Sequence, residues 1–205
     1  MDALVIVGIV AALVMYVAWQ RRSPRPFPPW MTPFLRAPWR WRFFSPEVAA
    51  ERHGLGVGMT VLEVGPADGY LTLGALDRVT PGGRLVCLDL QLGMLRKLRR
   101  AMGTRTPPLV CASGSRLPFR SGSFDAVFLA HVLGEIPDRS SALAECARVL
   151  RPNGTLAITE GVPDPDFIRQ PRLVSMALAA GFHAGKRHGR AFHYTQRFHP
   201  DKDAA

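Results

Sequence analysis

Residues 61–72, V-L-E-V-G-P-A-D-G-Y-L-T, and residues 85–89, L-V-C-L-D, decide how this chain is read. A short apolar run ends in a glycine-bearing turn, and a second apolar run ends in one carboxylate. This is the sequence form of a strand, a tight loop, a helix and a parallel second strand. The acid, Asp89, sits where such a unit holds a ribose.

The order of the glycines narrows the ligand. A dinucleotide loop reads G-x-G-x-x-G and seats a pyrophosphate on the helix N-terminus. Here the loop reads Glu63-x-Gly65-x-Ala67-x-Gly69, with Asp68 near the start of the following helix. A carboxylate there suits a helix N-terminus but repels a pyrophosphate. Gly54, Gly56 and Gly58 lie before the strand, on the wrong side for a phosphate cradle. A ligand with a ribose and no phosphate fits better than NAD or ATP.

Beyond Pro46 the pattern alternates. Strands are expected at 60–65, 84–89, 108–112, 124–130 and 154–160. Helices are expected at about 47–53, 69–79, 91–102, 139–150 and 167–180. Strands that are apolar throughout, such as residues 126–130, A-V-F-L-A, imply burial on both faces, as in a parallel sheet. Pro81-Gly82-Gly83 and Pro152-Asn153-Gly154 mark helix-to-strand turns. The end of the chain reads as a hairpin around Gly189. The fold class is therefore α/β, Rossmann-like and doubly wound.

Four segments in order, E-V-G-P-A-D-G, V-C-L-D-L, L-P-F-R-S-G-S-F-D-A-V and R-V-L-R-P-N-G-T-L, resemble the class I S-adenosylmethionine-dependent methyltransferases. The group most similar is that of the ubiquinone and menaquinone biosynthesis methylases. The resemblance runs from about Pro46 to Phe198. It implies a mostly parallel seven-stranded sheet with an antiparallel final strand, and S-adenosyl-L-methionine as cofactor. It further implies that Gly65, Pro66, Ala67 and Gly69 line the methionine part and that Asp89 accepts from both ribose hydroxyls. Leu90 would pack on the adenine, with Ser113 and Gly114 at the adenine edge. Glu63 would hold either the loop or the cofactor ammonium. Asp89 has a second reading, as N-cap of the helix at 91–102. The chain departs from the family pattern at Ala67, where glycine is common, and at Ser113, where aspartate is common.

Methyl transfer from a sulfonium is an in-line displacement, so a base is required only when the acceptor must lose a proton. His131, just after the fourth strand, is the catalytic candidate. Its alternatives are a helix-start contact with the cofactor and plain packing. Glu135 is a second choice, expected to be bonded within its own loop. His183, His188, His193 and His199 lack ligand spacing, so no metal is expected. Cys87, Cys111 and Cys146 show no metal or redox spacing and read as reduced thiols.

The front of the chain differs from the rest. Residues 3–19 are 17 residues without a charge, about 26 Å as a helix. Arg21, Arg22 and Arg25 follow, which predicts a single-pass transmembrane anchor with the remainder cytoplasmic. Between Gln20 and Ser45 lie six arginines, six prolines and no acid, and all four tryptophans precede residue 42. This suits an arm along a membrane surface; the alternative is a linker packed on the domain. The expected organisation is an anchor at 1–20, an arm at 21–45, a methyltransferase domain at 46–200 and a tail at 201–205. Nothing is inserted between the strands, so a lean, partly open site is expected, suited to a small-molecule or lipid-like acceptor. The net charge of +10 is concentrated in the arm, which argues against a nucleic-acid partner. So does the absence of an Asp/Asn-Pro-Pro-aromatic motif after the fourth strand, where the chain reads A-H-V-L-G-E.

Overall fold

A computed structural model describes residues 44–162 and 164–201, with Met15 and residues 26–28. The described elements are α1 (Pro46–His53), β1 (Thr60–Val64), α2 (Thr72–Val79), β2 (Arg84–Asp89), α3 (Leu92–Met102) and β3 (Leu109–Cys111). They continue with β4 (Phe124–Ala130), α4 (Arg139–Val149), β5 (Leu150–Gly161), α5 (Gln170–Ala179), β6 (Phe182–Arg190) and β7 (His193–Pro200). One seven-stranded sheet has the order β3-β2-β1-β4-β5-β7-β6. β7 runs antiparallel between β5 and β6, and the other pairings are parallel.

Strand alternation divides the core between two faces. Leu62, Val64, Leu129 and Ile158 face one way and pack with Leu143, Val149 and Leu173 of α4 and α5. Val61, Leu85, Phe128 and Ala157 face the other way, with Ala50, Val79 and Leu98 of α1, α2 and α3. The helix ends follow local chemistry. Ser45 caps α1 by accepting from the Val48 N–H, and Gly54 ends that helix at φ 78°. Asp138 caps α4 by accepting from the Ser141 N–H at 3.0 Å.

Four boundaries differ from expectation. α2 begins at Thr72 because Gly69 takes a φ of 89°, which a helix starting at 69 cannot contain. α5 begins at Gln170 because residues 164–167 form a turn in which the Asp166 N–H donates to Asp164 Oδ1 at 2.9 Å. β5 begins at Leu150, which pairs with Phe124 before the register shifts. The hairpin turns at residues 191–192 and not at Gly189, which lies within β6 opposite Tyr194.

Among the described residues no helix is long and apolar enough to cross a membrane. The expected transmembrane helix at 3–19 falls outside the described residues, Met15 apart, as do residues 29–43 of the arm.

α1 crosses α2 at Gly74, where an added Cβ would stand 2.6 Å from the Pro46 carbonyl carbon and oxygen. Backbone cannot yield there as a side chain would. Gly74→Ala should therefore destabilise the chain by about 1–2 kcal/mol, overriding the ~1 kcal/mol that alanine gains in a helix. Urea unfolding of the full chain measures this, and a stabilised variant would contradict the packing.

Candidate active site

The strand order reverses between β1 and β4, so the crevice at their carboxyl ends is where an α/β sheet of this kind takes a ligand. One wall is the loop after β1. Gly65 has φ 73°, and a Cβ there would lie 2.4 Å from Val132 Cγ2, so only glycine lets the loop approach the β4 side. Ala67 has φ 51°, a left-handed conformation that costs a non-glycine residue about 1–2 kcal/mol. The strain is opposed by a specific bond. The Ala67 N–H donates to the Asp89 carboxylate, which also accepts from the Gln91 N–H at 2.7 Å. Asp89 is buried, and burial raises its pKa while these two bonds oppose the rise. The α3 cap position is Gln91, so Asp89 is not the N-cap.

Glu63 points under the loop and away from its backbone amides. Its Oε2 accepts from Thr72 Oγ1 at 2.7 Å and lies 3.4 Å from Cys87 Sγ. The expected bonds to loop N–H groups are thus replaced by side-chain bonds to α2 and β2. Burial pushes the Glu63 pKa up to about 7. Pro66 accepts from the Gly69 N–H at 2.9 Å and closes the loop. Leu90 is exposed at the β2 lip. Ser113 is bonded to Ser115, Oγ to Oγ at 2.8 Å. An added Cβ at Gly114 would lie 3.0 Å from Ile136 Cδ1, which places this turn against the loop that follows β4.

The opposite wall follows β4. His131 has φ 59°, the second non-glycine residue with positive φ among the described residues. Strain of this kind marks a position that the surroundings over-determine. The His131 N–H donates to the Thr159 carbonyl at 2.9 Å, and its Nδ1 stands 3.7 Å from Asp164 Oδ2. Its Nε2 is buried with no hydrogen-bond partner. Phe44 lies edge-on to His193 at 4.9 Å and to His131 at 6.4 Å, and the two imidazoles are 5.7 Å apart. Beneath them His53 stacks on Phe128 at 4.5 Å and bonds Thr159 Oγ1 at 2.9 Å. Its burial lowers its pKa to about 3, so it is a neutral core residue.

The crevice is less open than expected, because the arm crosses it. The Phe27 N–H donates to Glu135 Oε2 at 2.9 Å, and the Phe27 carbonyl accepts from Gln91 Nε2 at 3.0 Å. Gln91 follows β2 and Glu135 follows β4, so this peptide unit spans the end of β1. Glu135 is therefore bonded to the arm and not within its own loop. Burial raises its pKa to about 8, and the nearby Asp164, Asp166 and Asp89 add to the rise.

Phe44, His53, His193, Asp164 and Phe27 were not expected at the site. Their segments come together only through the sheet order, and no local spacing signals it. The sequence P-D-P at 163–165 was the one available cue. Among the described residues no three His, Cys, Asp or Glu side chains converge as metal ligands.

The buried acids set a pH dependence. A carboxyl whose pKa is raised by folding contributes stability that is fully present below its unfolded pKa and is lost as pH rises through the folded value. Glu63, raised to about 7, thus weakens the fold progressively from about pH 4.5 to 8. Glu63→Gln should remove on the order of 2–3 kcal/mol of that decline. Chemical unfolding at pH 5 and pH 8 measures it, and an unchanged slope would contradict the burial argument.

Residues 62–158 match the family described as "Methyltransferase domain". The chain is 39% identical over 105 residues to a demethylmenaquinone methyltransferase of Corynebacterium urealyticum, covering 48% of this chain and 44% of that protein. It is 34% identical over 125 residues to a ubiquinone/menaquinone biosynthesis C-methyltransferase of Hahella chejuensis, covering 58% and 48%. The chain thus spans about half the length of the curated relatives it matches. Among solved structures, a SAM dependent methyltransferase from Aquifex aeolicus superposes with a TM-score of 0.76 at 23% identity, covering 84% of this chain and 98% of that one. The matched segment runs from within β1 to within β5 and holds the loop at 65–69 and Asp89, and over it the chain is similar to the S-adenosylmethionine-dependent methyltransferases, whose fold it shares.

Proposed function

We propose that the chain binds S-adenosylmethionine in the crevice between β1 and β4 and transfers its methyl group to a small, lipid-soluble aromatic acceptor of the quinol type. The observation that carries this reading is Asp89 at the end of β2, bonded to the left-handed loop through the Ala67 N–H. That arrangement sets a carboxylate beside a close-approaching backbone, as a ribose and an amino-acid tail require. Charge supports the same ligand. Asp89, Asp164 and Asp166 lie close enough to Glu135 to raise its proton affinity at this edge. A field of that sign favours a sulfonium and an ammonium and disfavours a phosphate.

The acceptor follows from the second wall and from the relatives, whose names give demethylmenaquinone and ubiquinone/menaquinone biosynthesis as their work. His131 and His193 are half-buried on this wall, with the buried Phe44 packed edge-on against both, an aromatic surface suited to a flat acceptor. In the transfer, a carbon of the acceptor ring forms the new C–CH3 bond as the S–CH3 bond breaks. When bound, S-adenosylmethionine would supply the methyl group and leave as the thioether, and the acceptor ring would then have to lose its proton. His131 is the base we assign to it; its Nε2 carries no hydrogen bond and is covered in this structure, so the acceptor would have to displace what covers it, and Asp164 stands 3.7 Å from Nδ1 to orient the ring. The uncharged run at 3–19 and the arginine- and tryptophan-bearing arm support a membrane anchor with the domain on the cytoplasmic side. In that placement a lipid-soluble acceptor is concentrated where the crevice lies.

Calorimetry with S-adenosylmethionine tests the cofactor. Asp89→Ala should weaken binding about 100-fold, as two hydrogen bonds to a charged group are lost, and wild-type binding in that variant would remove the site assignment. His131→Ala should lower kcat by about 10²–10⁴ while leaving cofactor affinity within about threefold. Absence of binding at millimolar cofactor in the wild-type chain would leave a scaffold in place of an enzyme.

A further inference from the structure

The rim of the crevice carries exposed apolar side chains on both sides. Leu92, at the start of α3, is 50% exposed, Val162, just after β5, is 51% exposed, and Phe192, in the β6–β7 turn, is 70% exposed. Val162 and Phe192 are held together by the bond from the Val162 N–H to the Phe192 carbonyl at 2.9 Å. The sheet order puts Leu92 on the β2 side of the mouth and the other pair on the β5–β7 side. Single exposed apolar residues are ordinary; two lips around one opening are a surface.

The charges of this edge are sorted by depth. Asp89 and Asp166 are buried, and Glu135 is bonded to the arm. Arg169 and Arg172, at the start of α5, and Arg190, at the end of β6, are exposed. Lys186 and Arg187 on the edge strand β6 fit the usual protection of a sheet edge, but Arg169 and Arg172 are on no strand. The outward face is thus apolar and cationic, which complements an anionic lipid surface.

The chain itself fixes which edge faces the lipid. Phe27 is bonded to Gln91 after β2 and to Glu135 after β4 at the mouth, and eight positions separate it from Trp19 at the end of the uncharged run. Extended backbone covers at most about 3.6 Å per residue, so the mouth lies within about 29 Å of that run. The amino edge of the sheet, marked by exposed Val57 just before β1, lies a full strand length from the mouth.

We propose that this carboxyl-edge rim, with Phe192, Val162 and Leu92 inserted and Arg169, Arg172 and Arg190 on the headgroups, docks on an anionic phospholipid bilayer so that the crevice opens onto the membrane. The proposal rests on the reading of residues 3–19 as membrane-inserted, and its test separates the two. A nitroxide is attached through Phe192→Cys in a Cys111→Ser background, which leaves only the buried Cys87 and Cys146. A second preparation carries it through Val57→Cys. The full chain is placed in phosphatidylglycerol/phosphatidylcholine vesicles, and collisions with oxygen and with a water-soluble nickel complex are compared. The label at 192 should become several-fold more accessible to oxygen than to nickel, and less so when phosphatidylglycerol is omitted, while the label at 57 stays water-accessible. A vesicle-bound chain with a water-exposed label at 192 overturns the docking and leaves the anchor standing. A chain that does not bind vesicles overturns both. Dipolar broadening between labels at 192, without lipid exposure, makes the rim a contact between two copies and also overturns the docking. Cofactor calorimetry reports on S-adenosylmethionine binding independently of all three.

Discussion

The Asp89 carboxylate, bonded to the backbone N–H groups of Ala67 and Gln91, joins the end of β2 to the loop after β1. The rest of the site depends on this tie. Without it, the left-handed φ of Ala67 would be an uncompensated strain. With it, the loop is held low enough for Gly65 to meet Val132, which brings the β1 and β4 walls to contact distance. If the proposed cofactor binds here, a carboxylate already fixed by the loop would orient its ribose without the cost of moving at the moment of binding.

A second constraint is the concentration of acid below the rim. Glu63, Glu135 and Glu160 are each pushed toward the neutral form by burial. They occupy different layers: Glu63 under the loop, bonded to Thr72; Glu135 at the mouth, bonded to Phe27; and Glu160 on β5, bonded to the Ile168 N–H. A ligand with positive charge relieves the repulsion among the acids at the mouth, whereas a phosphate would increase it. The outward-facing charge has the opposite sign, so the edge separates a cation-seeking interior from an anion-seeking surface.

The parallel sheet was legible in the sequence because strands buried on both faces are continuous apolar runs, and residues 126–130 leave little else to read. The loop and Asp89 were legible because glycine spacing and a terminal acid are local signals. Three features lay beyond such signals. The start of α2 depended on the positive φ of Gly69, and the loop before it on a positive φ at Ala67 that no glycine advertises. Glu63 looked like a loop ligand until the alternation of β1 turned it toward Cys87 and Thr72. The wall formed by Phe44, His131, His193 and Asp164 gathers residues up to 149 positions apart, and only the β4-β5-β7 order makes them neighbours. The crossing of the mouth by Phe27 was likewise invisible, since a proline-rich arm carries no periodicity that names its partner.

The most direct test of the central claim is a crystal structure of the chain with S-adenosylhomocysteine. Both ribose hydroxyls should lie within about 3 Å of the Asp89 carboxylate oxygens, with the amino-acid tail against residues 65–69. A nucleoside bound elsewhere on the sheet, or an Asp89 carboxylate making no contact with the sugar, would contradict the account.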